Sequence, residues 1–262
     1  MKRAIPVFLL LSIAALAQQP SAPAPVELTA DSTHHLVLEN IFVRAFAVTV
    51  EPKKSTLNHR HGKDYITVAL GDSEILNARE GAQPVTVKFK DGDVRFAPTG
   101  IVHLVTDTGE STFRNITIEL MQPTTNQHPC TEACSIPVPC DAADKATCTT
   151  VTKVFQSDQW SVTLVTMPPG ASYAKHTHLA NFLVVPLTDG DVKASEQDGP
   201  AMAGHYKAGE ISWHNPVVHS MSNSGTKPLR AVVLEFRGRP AGEGSESMGP
   251  DTKAGEKAAH PH

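Results

Sequence analysis

"GDVRFAPTGIVHLVTD", residues 92–107, places glycines at 92 and 100, a proline at 98 and a histidine at 103 within an otherwise apolar run. Gly92 and Gly100 suit turns whose backbone needs conformations closed to other residues, and Pro98 fixes φ in the connection between them. His103 is then either a satisfied core residue or one corner of a metal site whose other corners lie elsewhere in the chain. The remaining histidines decide between these readings.

The chain has 13 histidines, so a single pair at i, i+2 carries little weight by itself. Context strengthens two of them. In "LNHRHGKDYITVALG" (57–71) and "AKHTHLANFLVVPL" (174–187), His59/His61 and His176/His178 stand just ahead of, or at the start of, an expected strand. Residues i and i+2 of a strand point to the same face, so two imidazoles can look at one ion. A third histidine follows in each half, His103 at 42 residues after His61 and His219 at 41 after His178. In a small barrel, alternation would bring all three inward together.

These landmarks belong to an internal repeat. His59, His61 and Pro52 map onto His176, His178 and Pro169 at an offset of 117, and His103 and Glu119 map onto His219 and Glu235 at 116. An offset that drifts by one residue is what duplication with a single loop deletion leaves behind. Around the landmarks lie short β-rich runs: 36–50, 65–70, 85–89, 94–97 and 113–120, then 151–155, 160–167, 182–187, 210–213 and 229–236. Glycine, proline, aspartate and asparagine separate them, and no long stretch has a helical period. The pattern predicts an all-β protein of sandwich or barrel type in two copies.

The first half resembles the cupin superfamily. "HRH" followed by Gly71 is similar to that family's first motif, and residues 92–107 match its second, G-x5-P-x-G-x2-H-x3-N, except that Asp107 takes the last place. The second half resembles a more diverged cupin: "HTH" is intact and "HSMSN" supplies His219 and Asn223, while His214-Asn215-Pro216 replaces P-x-G. The resemblance covers roughly residues 35–120 and 150–237 and implies a bicupin, two cupin-type jelly-roll β-barrels in tandem. It also implies metal ligation by His59, His61 and His103, and by His176, His178 and His219, with one or two divalent transition metal ions (Fe, Mn or Zn) per chain.

Many cupins complete the shell with a glutamate, but the matching places here are Tyr65 and Ile66 in one half and Phe182 and Leu183 in the other. Asp64 sits one place early. Tyr65 is the candidate catalytic side chain, through a hydroxyl that would bond a metal-bound substrate; simple packing of the barrel wall is the competing reading. Glu119 and Glu235 would either orient a ligand histidine or face solvent, and the second reading is the expectation. His205 and His214 read as surface or strand residues.

A neutral three-histidine shell leaves the metal its double positive charge and two or three open positions, which favour an anionic bidentate ligand such as a diketonate, catecholate or carboxylate. The same shell around zinc would hold one water with its pKa lowered to about 7. The reading is therefore a metal-binding bicupin, with a dioxygenase-like oxidoreductase acting on a small chelating anion as the enzymatic form. A non-catalytic binding module is the alternative. The missing glutamate counts against chemistry of the oxalate-degrading type.

Lys2 and Arg3, the apolar run to Ala17 and the small residues before Gln18 have the layout of a secretory signal peptide over residues 1–17. Its roughly 14 apolar residues fall short of the ~20 that span a membrane, so no stable membrane anchor is expected. The mature protein would be secreted or periplasmic. Residues 18–34 read as a flexible leader, 35–123 as the first barrel, 124–149 as a connector, 150–237 as the second barrel and 238–262 as a disordered tail. Cys130, Cys134, Cys140 and Cys148 all fall in the connector; their spacing lacks paired C-x-x-C, so disulfides are expected, in any of three connectivities, over a zinc site. A net charge of −4 before leader removal argues against nucleic acid as a partner. The expected partner is a small molecule, and barrel edges leave homodimerisation open.

Overall fold

A computed structural model describes residues 24–130, 135–140 and 144–237. The expected signal peptide, the start of the leader, Cys134 and the expected disordered tail lie outside the described residues. Within them the chain is all β, apart from two single-turn 3-10 helices, Leu28–Ala30 and Lys145–Thr147.

Each half is a sandwich of two sheets. In the first, an outer sheet runs Val26–Glu27, His59–Arg60, Val102–Asp107, Ser73–Arg79, Val85–Phe89. It faces an inner sheet ordered His34–Glu39, Val43–Val50, Phe113–Leu120, Tyr65–Ala69, Val94–Ala97. In the second half, an outer sheet of Ser172–His178, Val217–Asn223, Gly190–Glu196 and Met202–Tyr206 opposes an inner sheet centred on Thr150–Gln156, Trp160–Met167, Leu229–Phe236 and Phe182–Pro186. The pairings are antiparallel, except that Val26–Glu27 runs parallel to His59–Arg60.

The central strands of the inner sheets are buried on both faces, and their period-2 alternation shows why. Along Val43–Val50, Phe46, Val48 and Val50 join the core inside the first sandwich, whereas Val43 and Ala45 join a larger core that also holds Trp160, Val162, Leu183, Leu234 and Phe236 of the second half. Along Phe113–Leu120, Ile116, Ile118 and Leu120 face that shared core. Phe113 joins the core inside the sandwich, and it, Asn115 and Thr117 line the first cavity. The two inner sheets thus pack on each other, with Phe96 of the first half stacked on Trp160 of the second at 5.8 Å.

The turns use the residues read from the sequence. Gly92 and Gly100 have φ of +84° and +86°. A Cβ at Gly92 would also meet Leu187 Cδ1 at 2.8 Å and Arg230 Nη2 at 2.9 Å, where Arg230 crosses between halves to bond Asp91. Asp107, which replaces the motif's asparagine, is fully buried and accepts from the backbone N–H groups of Gly109 and Phe113. Asn223 accepts from Gly225 N–H in the same way and also donates to the Met167 and Lys227 carbonyls. An acceptor is what this turn requires, so aspartate serves.

One expectation needs correction. The leader does not stay free to residue 34: Val26–Glu27 adds to the outer sheet, Leu28 is completely buried, and Asp31 and His34 are 1% and 7% exposed. The segment has little apolar periodicity because hydrogen bonds to Asp31 hold it, from Thr33 N–H, the Thr33 hydroxyl and Leu57 N–H. In the connector Cys140 is bonded to Cys148, and Cys130 is also disulfide-bonded.

Candidate metal centres

The short strand His59–Arg60 pairs with Val102–Asp107 so that His59 lies directly opposite His103, and His61 follows two places on, facing the same way. The three ring centroids are 4.6 to 5.2 Å apart. In the second half the same pairing sets His176 opposite His219, with His178 beside them and centroids 4.4 to 5.2 Å apart. Each triad offers three ligand nitrogens within 4.8 Å of one another. All six sequence-predicted histidines are therefore brought together in two groups of three.

Hydrogen bonding fixes which nitrogens face inward. His59 Nδ1 donates to the Leu57 carbonyl at 3.0 Å, which turns Nε2 toward the other two rings. That Nε2 is buried with no partner. His103 Nδ1 donates to Asn77 Oδ1 at 2.9 Å, and its Nε2 points at His61 Nε2 across 3.1 Å. The second triad repeats the pattern: His176 Nδ1 donates to the Ala174 carbonyl at 2.9 Å, and Nε2 of His176 faces Nε2 of His219 at 2.9 Å. Lone pairs aimed at one point, one of them orphaned and buried, fit a cation, and residues that fix the far nitrogen are the usual support of a metal-ligating histidine. The triads could each hold a metal ion.

A third group, Asp31, His34 and His59, also brings potential ligand atoms together. Its inward atoms are already used: Asp31 Oδ2 accepts from Leu57 N–H and lies 3.2 Å from His59 Nδ1, and His34 Nδ1 faces the Thr33 hydroxyl at 3.0 Å. It is a support for His59. Burial opposes the charge on Asp31, but hydrogen bonds from His34, His59 and Thr33 outweigh it and hold the carboxyl far below the usual carboxylate range. Nothing in the sequence pattern marked Asp31; only the short "DST" turn signal at 31–33 hinted at a structured segment.

Where the family's glutamate would stand, aromatic rings lie flat on the ligands. Tyr65 stacks on His61 at 3.7 Å and Phe182 on His178 at 4.0 Å. Tyr65 is 6% exposed and lines the cavity, and burial pushes its hydroxyl up to about 12, so it remains a donor at neutral pH. Asp64 is not in the site: its carboxylate accepts from Thr99 and Thr124 N–H.

The solvent-facing reading of the paired glutamates is wrong. Glu119 is fully buried and ion-paired to Arg44 at 2.6 Å, with Oε1 left without a partner, because the odd residues of its strand look into the sandwich. Glu235, at the matching place, is 3.3 Å from His178 Nδ1. His205 is an exposed partner of Asp191, and His214 bonds the Ser212 hydroxyl and stacks on Phe182.

The first triad opens into a cavity of about 160 Å³. Phe89, Phe113 and Val105 form apolar wall, while Asn77, Asn115 and Arg79 are polar. Arg79 has no carboxylate partner among the described residues, whereas Arg95 is spent on the Lys88 carbonyl and the Phe89 ring.

Comparison with known proteins follows from this geometry. In sequence, the chain matches no family model and no curated protein. In structure it is similar to AerE from Microcystis aeruginosa, at 13% identity and TM-score 0.53 over 79% of this chain and 99% of that one. It is also similar to a mutant of Bacillus subtilis oxalate decarboxylase, at 14% identity and TM-score 0.51 over 76% and 70%. A further oxalate decarboxylase structure, reported for its substrate binding mode, gives 14% and 0.52 over 76% and 70%. The fold is that of two cupin-type jelly-roll barrels in tandem. At these identities the likeness extends to architecture alone.

The electrostatics of the first triad give a direct pH prediction. Burial, then the neighbouring His103 and His59, pushes His61 down to about 2. Burial, then His59 and Arg79, pushes His103 down to about 3. Both imidazoles are thus neutral at physiological pH, whereas in the unfolded chain they take up protons near pH 6.5. Between pH 6.5 and about 3 the unfolded state binds more protons, so the metal-free protein loses stability as pH falls, by about 1.4 kcal/mol per pH unit for each imidazole. The midpoint temperature of the metal-free protein should fall steadily from pH 6.5 to 4. A flat profile would show that these rings are not buried neutral.

Proposed function

We propose that the protein is an exported, metal-dependent oxidoreductase of dioxygenase type that acts on a small chelating anion in the first barrel. The observation that supports this most is the convergence of three imidazoles beside a cavity lined by Arg79, a cation with no carboxylate partner among the described residues. A divalent iron or manganese ion, when bound, supplies redox chemistry and open positions for substrate and dioxygen. The chain's own residues do the rest. His59, His61 and His103 hold the ion without neutralising it, which favours an anionic ligand. Arg79 would take the ligand's remaining negative charge, and the Tyr65 hydroxyl, kept protonated, would donate to an oxygen of the substrate anion. Phe89 and Phe113 limit water around the reacting groups. The aromatic residues in place of a glutamate ligand make decarboxylation of oxalate the weaker reading, despite the shared fold. Export is supported by the leader's layout and by a disulfide-bonded connector.

Oxygen uptake by the iron-reconstituted protein, with a panel of small diketones, catechols and hydroxy acids, tests the proposal. Uptake that needs His103 is expected. Arg79→Ala should raise KM by roughly 10- to 100-fold with kcat little changed, the effect of losing one charge-assisted hydrogen bond. Tight ligand binding without uptake would make the protein a binding module, and turnover with zinc in the absence of oxygen would make it a hydrolase or isomerase.

A further inference from the structure

The two triads share a strand pattern but not a setting. His59, His61 and His103 are 1%, 2% and 7% exposed. All three histidines of the second triad are only half-buried. The difference has an identifiable source. The segment 26–34 lies along the first triad through its parallel pairing with His59–Arg60, anchored by the buried Leu28. It delivers Asp31, whose Oδ2 sits 3.2 Å from His59 Nδ1. That carboxylate is itself fixed by Thr33 N–H, the Thr33 hydroxyl and Leu57 N–H.

At the matching place in the second half, His176 Nδ1 has only the Ala174 carbonyl. Its triad does have a carboxylate, Glu235 on His178 at a similar distance of 3.3 Å, but its side chain is 30% exposed, so solvent screens it. In the first half Glu119 cannot serve in the same role unaided, because Arg44 already neutralises it.

A buried, pre-oriented carboxylate raises the donor strength of the imidazole it holds and fixes its ring. Burial also keeps water and competing ligands from attacking the bound ion. We infer that the protein has two functionally distinct metal positions, a retained ion at His59/His61/His103 and an exchangeable ion at His176/His178/His219, and that Asp31 is the positioning residue that sets the difference. This rests on both triads binding metal.

The test is zinc release from the fully loaded protein to the chromogenic chelator 4-(2-pyridylazo)resorcinol. Wild type should release in two phases of equal amplitude, the slow one absent in His103→Ala and the fast one absent in His219→Ala. Asp31→Asn keeps the size and one acceptor oxygen but removes the charge; it should speed the slow phase by roughly 10- to 100-fold and leave the fast phase unchanged. Thr33→Val, which keeps Asp31 but frees it to move, should speed the slow phase severalfold. Cobalt(II) loading gives a readout that mere loosening of the fold would not move. The absorption bands of the slow site should shift in Asp31→Asn while the far-UV circular dichroism of the metal-free protein stays at wild type. One common release rate in wild type, or an Asp31→Asn slow phase that is unchanged or accelerates together with the fast phase, overturns the inference. Absence of zinc from both triads would instead remove the metal-binding reading beneath it.

Discussion

His103→Ala should cost the protein one of two equivalents of metal when it is purified and analysed without added ions, and leave the second in place. His103 is the strand-opposite partner of His59, and its ring is held by Asn77. Losing only a supporting partner typically costs 10- to 100-fold in metal affinity; losing a ligand from a shell of three should cost more than that. The same substitution should abolish oxygen uptake if the first barrel is the catalytic one. Retention of both equivalents would mean that the first triad is a set of core histidines satisfied among themselves. Iron or manganese in the wild-type protein would favour redox chemistry, and zinc would favour hydrolysis or binding.

The second large effect is on stability. Trp160 is 2% exposed and stacks on Phe155 of its own half at 5.9 Å as well as on Phe96 of the other. Replacing it with alanine should remove about 3–5 kcal/mol, the usual cost of deleting a large buried aromatic. In a chain of this size that corresponds to roughly 10 °C in midpoint temperature. Because the ring belongs to a core built from both inner sheets, the loss should appear in both halves. Denaturant unfolding, followed by metal release from each triad, should show the two signals shifting together. If only the second triad's signal moved, the inner sheets would be adjacent without being cooperative.

What could be read from the sequence divides along the sheets. The strands anticipated as apolar runs, such as Val43–Val50, Phe113–Leu120, Trp160–Met167 and Leu229–Phe236, belong mostly to the inner sheets, whose central strands are buried on both faces and so are rich in large apolar residues. Ser73–Arg79, Gly190–Glu196 and Met202–Tyr206 went unrecognised. They lie in the outer sheets and are mostly exposed or half-buried, so little apolar alternation is imposed on them. The six clustered histidines were legible because two of each three sit at i, i+2 and the chain repeats them. Their supports were not. Asn77 comes from an unrecognised strand, Asp31 from a segment read as leader, and the acceptors of His59 and His176 are backbone carbonyls that leave no trace in residue identity. Glu119 and Glu235 stood out through the repeat, but only the register of Phe113–Leu120 and Leu229–Phe236 reveals that both turn toward histidines or an arginine.

The shared core between the inner sheets also bears on symmetry. Two identical barrels meeting through such a face would be bound to carry identical pockets, since any side chain gained by one would be gained by the other. Here a single chain supplies both barrels, with Arg230 reaching across to Asp91 and Trp160 packed on Phe96. Each pocket is therefore free to change alone, and a carboxylate such as Asp31 can be given to one barrel without being forced on its twin.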